Sequence, residues 1–499
     1  MTPAQYNAWL NDPTAIRNVL VEAVANVNGA DTTFYLSVLP YTSSPTDAPA
    51  SQPYRAVLVR DDIQTTEQLS LSGNATMTVG EVGISNDDGL YDAWLGYVWT
   101  NRPVTILFGD VRWARSDYQT IFSGVSSDIG NKSRTSVNLK IRDKLERLNV
   151  AISEHLLGGT TSNQGAMVPL ALGEVVNVTP LLIDPTTLQY QVNDGAIGGL
   201  IEVRDNGVPI ANDSLGWGAV VVDAAHGTFR MVSPPAGTIT VSLQGDATGG
   251  GYVNTVAAIV KRIAMTGGYL DSRFVASEID DVNFSAFDAA HQQPIGISVT
   301  GTTNALAVIQ QATGALQAQL TCSRAGQLQL KQIDFSSLAP TFDIKPAHMV
   351  EHSIFPAARE LVQASVRLTF CQNQTPQKNL ATSLPAEALS LMGMPNLEAT
   401  AVDASVKALH RLTTEPAKED TVLVRRQDAL AEAQRRLNIR KVPRTTYQFD
   451  GFAPLFQLQM GQAVRLFHPR FNLAAGAAGI VVSMTTKWAD GRTTVGVMV

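Results

Sequence analysis

The string His348-Met349-Val350-Glu351-His352 has the H-x-x-E-H spacing by which one class of zinc peptidases binds its metal. That chemistry needs two imidazoles one helical turn apart on a single face, the glutamate beside them as general base, and a third ligand from elsewhere. Pro346 and Pro356 bracket the string, too close together for a long helix, and the residues beyond read as a strand. Ordinary loop or strand histidines are therefore expected, with no metal.

Other groups compete for attention. Tyr91, Trp94, Tyr97 and Trp99 have the makings of a stacking platform for sugar rings, but such a cluster more often packs as a plug or a subunit contact, and that is the expectation. Asp87, Asp88, Glu278, Asp280 and Asp281 include the residue type a glycosidase pairs, yet the sequence pairs none of them, so solvated loop acids are expected. The run GDATGGGY from Gly245 lacks the Lys-Ser/Thr that a phosphate-cradling loop requires and reads as a linker. No G-x-S-x-G elbow is present. Cys322 and Cys371 are too few for a disulfide scaffold or a four-thiolate zinc site, and both are expected reduced and buried. No catalytic, cofactor-binding or metal-binding residue is assigned, and no cofactor.

The elements that must position these groups follow from periodicity. Ile16, Val19, Leu20, Ala23 and Val24, after Asp12 and Pro13, predict an N-terminal helix over 13–27. Period-two runs then predict strands at Phe34/Leu36/Val38, Val57/Val59, Leu69/Leu71, Met77/Val79, Val104/Ile106/Phe108 and Val137/Leu139/Ile141, with turns at Gly73-Asn74, Asp88-Gly89 and Gly109-Asp110 and a short helical close at Asp143 to Leu148. A second strand-rich block covers 168–245, and the clearest boundary is expected near residue 250. Beyond it, Val256/Ile259/Val260/Ile263 and Leu306/Ile309/Ala312 predict two helices around an irregular connection, the second capped by Thr302 or Thr303. A hairpin turning at Arg324-Ala325-Gly326, a strand LVQASVRLTF, a polar loop over 372–420 and a helix over 424–439 come next. That helix is expected to bury Leu430, Ala433 and Leu437 and to present its arginines as a solvated basic face, with an acidic partner as the alternative. Strands close the chain around Val464/Leu466, Ile480/Val482/Met484 and, after an Asp490-Gly491 turn, Val495/Val497/Val499.

The 499 residues are 44% hydrophobic and 16% charged, against about 25% charged in a typical domain. Disorder and a strongly charged nucleic-acid binder are thereby excluded, and 38 Gly with 24 Pro favour many short strands. The net charge of −7 is uneven: residues 407–499 carry 14 Lys/Arg against 7 Asp/Glu, leaving the preceding part acidic. The amino terminus has no cationic, apolar leader and no run is apolar enough for a membrane helix, so synthesis in a cytoplasm without a membrane anchor is expected. The fold class expected is mainly β with some α, in several domains.

Stretches in three regions of the chain carry a resemblance. ISNDDGLYDAWLGYVWTNRPVTILFGD, TIFSGVSSDIG and SVNLKIRDKLERLNVAI resemble the first domain of tail-hub and baseplate proteins of tailed bacteriophages, and VPLALGEVVNVTPLLIDPTTLQYQVNDG is similar to the entry of the second domain of siphophage tail-tip proteins. TVAAIVKRIAMTGGYLD with GTTNALAVIQQATGALQAQLTCSRAGQLQLKQI resembles the hub segment in which two helices lead to an R-x-G-x-L hairpin. QLQMGQAVRLFHPRFNLAAGAAGIVVSMTTKWADGRTTVGVMV resembles the closing strands. Together they cover well over half the chain in the family's order.

Pattern and resemblance divide the chain into an N-terminal helix (1–28), a first β-barrel hub domain (29–165), an inserted β-rich domain (166–248), an α+β domain (249–345), a β/α domain with a long loop and basic helix (346–450), and strands that complete a barrel (451–499), the whole a set of hub-like β-barrels or sandwiches with flanking helices. The resemblance implies a structural virion protein that closes the tail tube, self-associates as a trimer, and meets the distal tail protein, the tube or tape-measure protein, and fibres or tip proteins. It also implies a role in tail assembly and genome ejection. The acidic excess suits a lining past which DNA slides without binding. Two rivals stand beside this: a cell-wall or polysaccharide hydrolase, and a carbohydrate-binding receptor protein.

Overall fold

A computed structural model describes residues 1–71, 78–159, 161–210, 219–268, 270–378, 380 and 384–499. Met77 and the Gly73-Asn74 turn lie outside them. The multidomain, β-rich class is observed. The chain packs as two units: unit 1 holds Met1–Arg147, Gln319–Leu361 and Pro443–Val499, and unit 2 holds Leu148–Ala318 and Val362–Val442.

Unit 1 is built on one 15-stranded sheet. The expected helix over 13–27 is instead the strand Arg17–Val27, paired antiparallel with Ala30–Ser37 on one side and Pro103–Asp110 on the other. Val19, Leu20, Val21, Ala23 and Ala25 are all buried. A strand buried on both faces presents consecutive apolar residues, and a stretch such as Val19 to Ala25 matches a helical stripe as well as it matches a strand. The helix lies earlier, at Pro3–Leu10, where Thr2 accepts the Gln5 N–H in a capping box and Pro3 occupies the first turn.

The sheet then runs through Gln119–Ser133, Ser136–Asp143, Val79–Ser85 and Leu58–Gln68 to the far end of the chain, where Ala477–Lys487 pairs with Leu58–Gln68 from Ser483↔Gln68 to Lys487↔Gln64. Arg492–Met498, Thr445–Phe452 and the edge strand Phe355–Arg359 complete it. One hydrophobic core gathers Val21, Val82, Ile84, Trp99, Ile106, Phe108 and Leu139 with Trp488 from near the chain end. A second gathers Ile344, Phe449, Leu455, Val464, Leu466, Val481 and Val497. The two ends of the sheet differ: Tyr41–Thr42 is two residues long with Tyr41 buried, whereas all five residues of Phe355–Arg359 are exposed.

Unit 2 is made of smaller pieces. A five-stranded sheet, ordered Val208–Pro209, Ile197–Asp205, Ile239–Asp246, Leu170–Val178, Gly296–Val299, and a four-stranded sheet of Leu181–Asp184, Gln189–Gln191, Thr228–Met231 and Val220–Asp223 share a core that includes Val175, Val203, Phe229, Val241 and Leu243. The Gly-rich run joins Ile239–Asp246 to the helix Val256–Thr266 within this unit, so the boundary expected near 250 separates no units. The predicted second helix is Ala305–Gly314, capped by Asn304 and not by Thr302 or Thr303. The connection between them, expected to be irregular, holds the helix Asp281–Ala290. The polar loop over 372–420 likewise contains the helices Ala386–Gly393 and Ala404–His410 and the strand Leu397–Val402, which pairs with Ser365–Phe370.

The helix Arg426–Arg440 packs Ala433 and Leu437 against Val366, Leu368 and Ala401 of that hairpin. Leu430, expected inside, is exposed, and the inward face instead carries Glu432 and Arg436, only 4% and 2% exposed.

Candidate functional site

The H-x-x-E-H string forms no helix. His348 ends the 3-10 turn Pro346–His348, where its Nδ1 accepts the Lys345 N–H at 3.2 Å and its ring leans on Phe342 with centroids 5.4 Å apart. Burial, reinforced by the nearby Lys345 charge, lowers its pKa below the ordinary imidazole value. Glu351 and His352 follow on the surface with side chains 88% and 89% exposed, His352 in a left-handed conformation at φ +60°. The peptidase arrangement, both imidazoles on one helical face, is absent. Among the described residues no group of three His, Cys, Asp or Glu side chains could hold a metal ion.

The aromatic series is a plug. Trp99 is 2% exposed, its indole N–H donates to the Trp94 carbonyl at 2.9 Å, Trp94 and Phe34 pack on it with ring centroids 5.1 and 5.5 Å away, and Tyr91 and Phe34 each pack on Trp94 at 4.6 Å. Tyr97 stacks on Phe34 at 6.1 Å. With those faces covered by protein, no platform for a sugar ring remains. The outer side of the plug is apolar all the same, since Leu90, Leu95 and Val98 are exposed.

The loop acids serve local geometry. Asp87 accepts the Ser85 hydroxyl at 2.9 Å and Asp88 the Leu90 N–H at 3.1 Å. Glu278 accepts the Val275 N–H, Asp280 caps the helix Asp281–Ala290 through Asn283 N–H at 3.0 Å, and Asp281 pairs with Lys261 at 2.5 Å. Cys322 is buried and Cys371 half-buried; both are free thiols, and burial pushes each upward in pKa.

Each unit holds a cleft. In unit 1 it measures about 600 Å³ and is lined by Tyr6, Gln68, Gln119, Gln329 and Gln462 among others. Its Arg324 faces Glu67 at 3.6 Å and lies 5.1 Å over the Trp488 ring, and its Lys331 donates to the Met460 carbonyl at 3.0 Å. The cleft of unit 2, about 490 Å³, is edged by the pairs His155–Asp194 at 2.8 Å and Arg262–Asp246 at 2.9 Å. These charged side chains answer one another across the clefts.

Two charged constellations escaped the sequence reading. Asp110 accepts the Trp9 indole N–H at 3.0 Å and the Ile16 N–H at 2.9 Å and pairs with Arg112 at 2.6 Å, fastening the N-terminal helix. Burial opposes its charge, yet the Arg112 and Trp9 hydrogen bonds hold the carboxyl well below the usual range. In unit 2 Arg436 pairs with Glu432 at 2.7 Å and Glu419 at 2.8 Å, and donates to the carbonyls of Gly314 and Ala315 at 2.9 Å each. A guanidinium thus satisfies carbonyls at the carboxyl end of another helix, where the dipole favours a cation. Arg435 joins through Glu432 and Arg440 through Glu419. The basic face expected in solvent is in this part an interior network. The Thr-Pro-Ala-Gln start was the legible signal for the first constellation; for the second, Glu432 and Arg436 at i,i+4 look the same whether buried or exposed.

No protein-family model and no curated protein matches the sequence. Solved structures to which the chain is similar include the 43 kDa tail protein of prophage MuSo2 from Shewanella oneidensis, at 10% identity and a TM-score of 0.40 over 97% of this chain and 98% of that one; a tail protein from Neisseria meningitidis, at 9% identity and 0.41 over 97% and 96%; and a chain of the virion of a native gene transfer agent, at 14% and 0.39 over 70% and 90%.

Proposed function

We propose that this chain is a structural component of a phage tail tip, a baseplate hub that closes the tail tube. The observation that carries the reading is the single 15-stranded sheet of unit 1, to which both ends of the chain contribute and which stops at a fully exposed edge strand, Phe355–Arg359. Wide permanent contacts suit such a surface, because an unpaired strand edge and exposed apolar residues such as Leu95 and Phe355 are liabilities in a free protein and assets in an assembly. The sequence motifs, in the order found in tail hubs, support it independently.

In this reading the chain trimerises, joins the distal tail protein and tube or tape-measure protein on one side to fibres or tip proteins on the other, and takes part in tail assembly and in gating genome ejection. Its work is assembly, with no bond chemistry, and the acidic excess lines the path of the DNA. Cryo-microscopy of virions with mass spectrometry of their proteins tests this: density for the chain at the tail tip is expected, and its absence from purified particles sinks the proposal.

A further inference from the structure

Unit 1 releases the chain after Arg147 and takes it back at Gln319. The two crossings are fastened at one place inside unit 1. Asp143 ends the strand Ser136–Asp143; its Oδ2 accepts the Thr78 N–H at 2.7 Å and its Oδ1 the Leu145 N–H at 3.0 Å. Leu145 lies, fully buried, in the turn Lys144–Leu148 that leads out. Cys322, buried, ends the strand Ala318–Cys322 that leads back in, and in the turn of the same hairpin Gly326 stands so close to the outgoing turn that a Cβ there would lie 2.9 Å from Lys144 Cε. One buried carboxyl thereby ties the start of a sheet strand to the outgoing turn, against which the incoming hairpin packs.

Burial pushes the Asp143 carboxyl up to about 7, against the pull of the Thr78 and Leu145 hydrogen bonds, and Glu146 adds to the push. The charged and titratable groups around the joint are Glu146, itself paired with Arg142 at 2.9 Å, Lys144 beside Cys322, and the Cys322 thiol, which burial and Asp143 raise. The neighbouring strand Gln119–Ser133 sets Gly124 opposite Asp143.

We propose that Asp143 is a proton-controlled latch on these two crossings: protonated, it leaves the joint closed, and its ionisation loosens it. An opened, hydrated Asp143 returns to an ordinary carboxyl value of about 4. The closed joint is therefore favoured fully below that value, and the preference is lost progressively as pH rises to about 7.

Amide hydrogen exchange of the whole protein between pH 5 and pH 8, corrected for intrinsic rates, tests the latch. Protection at Thr78 and Leu145 is expected to fall by roughly tenfold or more in the native protein, since each proton released on opening couples opening to pH, and to stay level in Asp143→Asn. Level protection in the native protein, or the same fall in the variant, overturns the proposal. Infrared titration of the native protein decides the matter if the variant does not fold. A protonated-carboxyl band at pH 5 that fades towards pH 8 and is assigned to Asp143 by isotope labelling supports the latch; a carboxylate already ionised at pH 5 overturns it.

Discussion

Unit 1 and the hairpin-and-helix part of unit 2 solve the same problem with different materials. Unit 1 joins distant parts of the chain by backbone ladders and seals them with large apolar side chains: Trp99, Trp488, Phe108 and Phe449 are among its fully buried residues. Unit 2 joins the hairpin Ser365–Phe370/Leu397–Val402, the helix Arg426–Arg440 and the helix Ala305–Gly314 around an ionic network in which Glu432 and Arg436 are nearly solvent-free. Apolar packing is additive and forgiving in direction, whereas a buried ion pair is strong only while every partner remains.

The sharpest way to break the contrast is Arg436→Ala. It leaves the buried Glu432 with Arg435 alone, takes one partner from Glu419 and uncaps the carbonyls of Gly314 and Ala315, together a loss of about 3–5 kcal/mol. Chemical denaturation followed by hydrogen exchange should show that loss in unit 2 segments with unit 1 strands unaffected. Replacing both Glu432 and Arg436 by Leu and Met should recover part of it, because a well-packed apolar pair substitutes for a buried ionic one while the Gly314 and Ala315 carbonyls stay uncapped.

Trp99→Ala is the counterpart in unit 1. Removing the plug is expected to cost about 3–4 kcal/mol by cavity formation and to be registered by strands Arg17–Val27 and Pro103–Asp110, with unit 2 untouched. Loss of sugar binding with stability intact would instead revive the platform reading.

Asp110→Asn removes one ionic anchor of the N-terminal helix and should cost about 1–3 kcal/mol, read as faster exchange at Trp9 and Ile16. The same anchor has a pH signature. A carboxyl held below its unfolded value contributes stability above about pH 4 and loses that contribution as pH falls through the acid range, so the helix should release on acidification in the native protein and show no such dependence in the variant.

Gly326→Ala is smaller. Gly326 turns the hairpin at φ +79° and its absent Cβ would stand 2.8 Å from Ser123 Oγ, so about 1–2 kcal/mol is expected from strain and displacement, measurable by the denaturation midpoint. The smallest effect belongs to the string that looked most like an active site. His352→Asn, which tolerates the left-handed backbone, should change stability by less than about 0.5 kcal/mol and leave zinc content by elemental analysis unchanged.

Legibility divided along physical lines. Strands with one face in the core alternated plainly, as at Val137, Leu139 and Ile141, all buried in Ser136–Asp143. In the strand Arg17–Val27 burial on both faces erases the alternation, so the sequence pattern does not separate it from a helix. The turn glycines marked the hairpin at Gly326 and the final one at Gly491, both at positive φ. Short elements in polar surroundings, such as Ala404–His410 with no buried residue, left no period to detect. Of the site candidates, the context of Pro346 and Pro356 was enough to argue against a metal helix, but which acids and arginines lie inside depends on contacts made far along the chain, as Arg436 with Gly314 shows.

The pairing of Leu58–Gln68 with Ala477–Lys487 bears on how the protein is made. Thr66 and Thr485 face each other across 419 residues of chain, so strand Leu58–Gln68 leaves the ribosome long before its partner exists and waits as an open edge while all of unit 2 is synthesised. A polypeptide broken off before residue 477 keeps that edge bare and lacks Trp488 from the first core. The sheet is thus continuous only once Ala477–Lys487 has been made, and until then the Leu58–Gln68 edge has no partner strand to cover it.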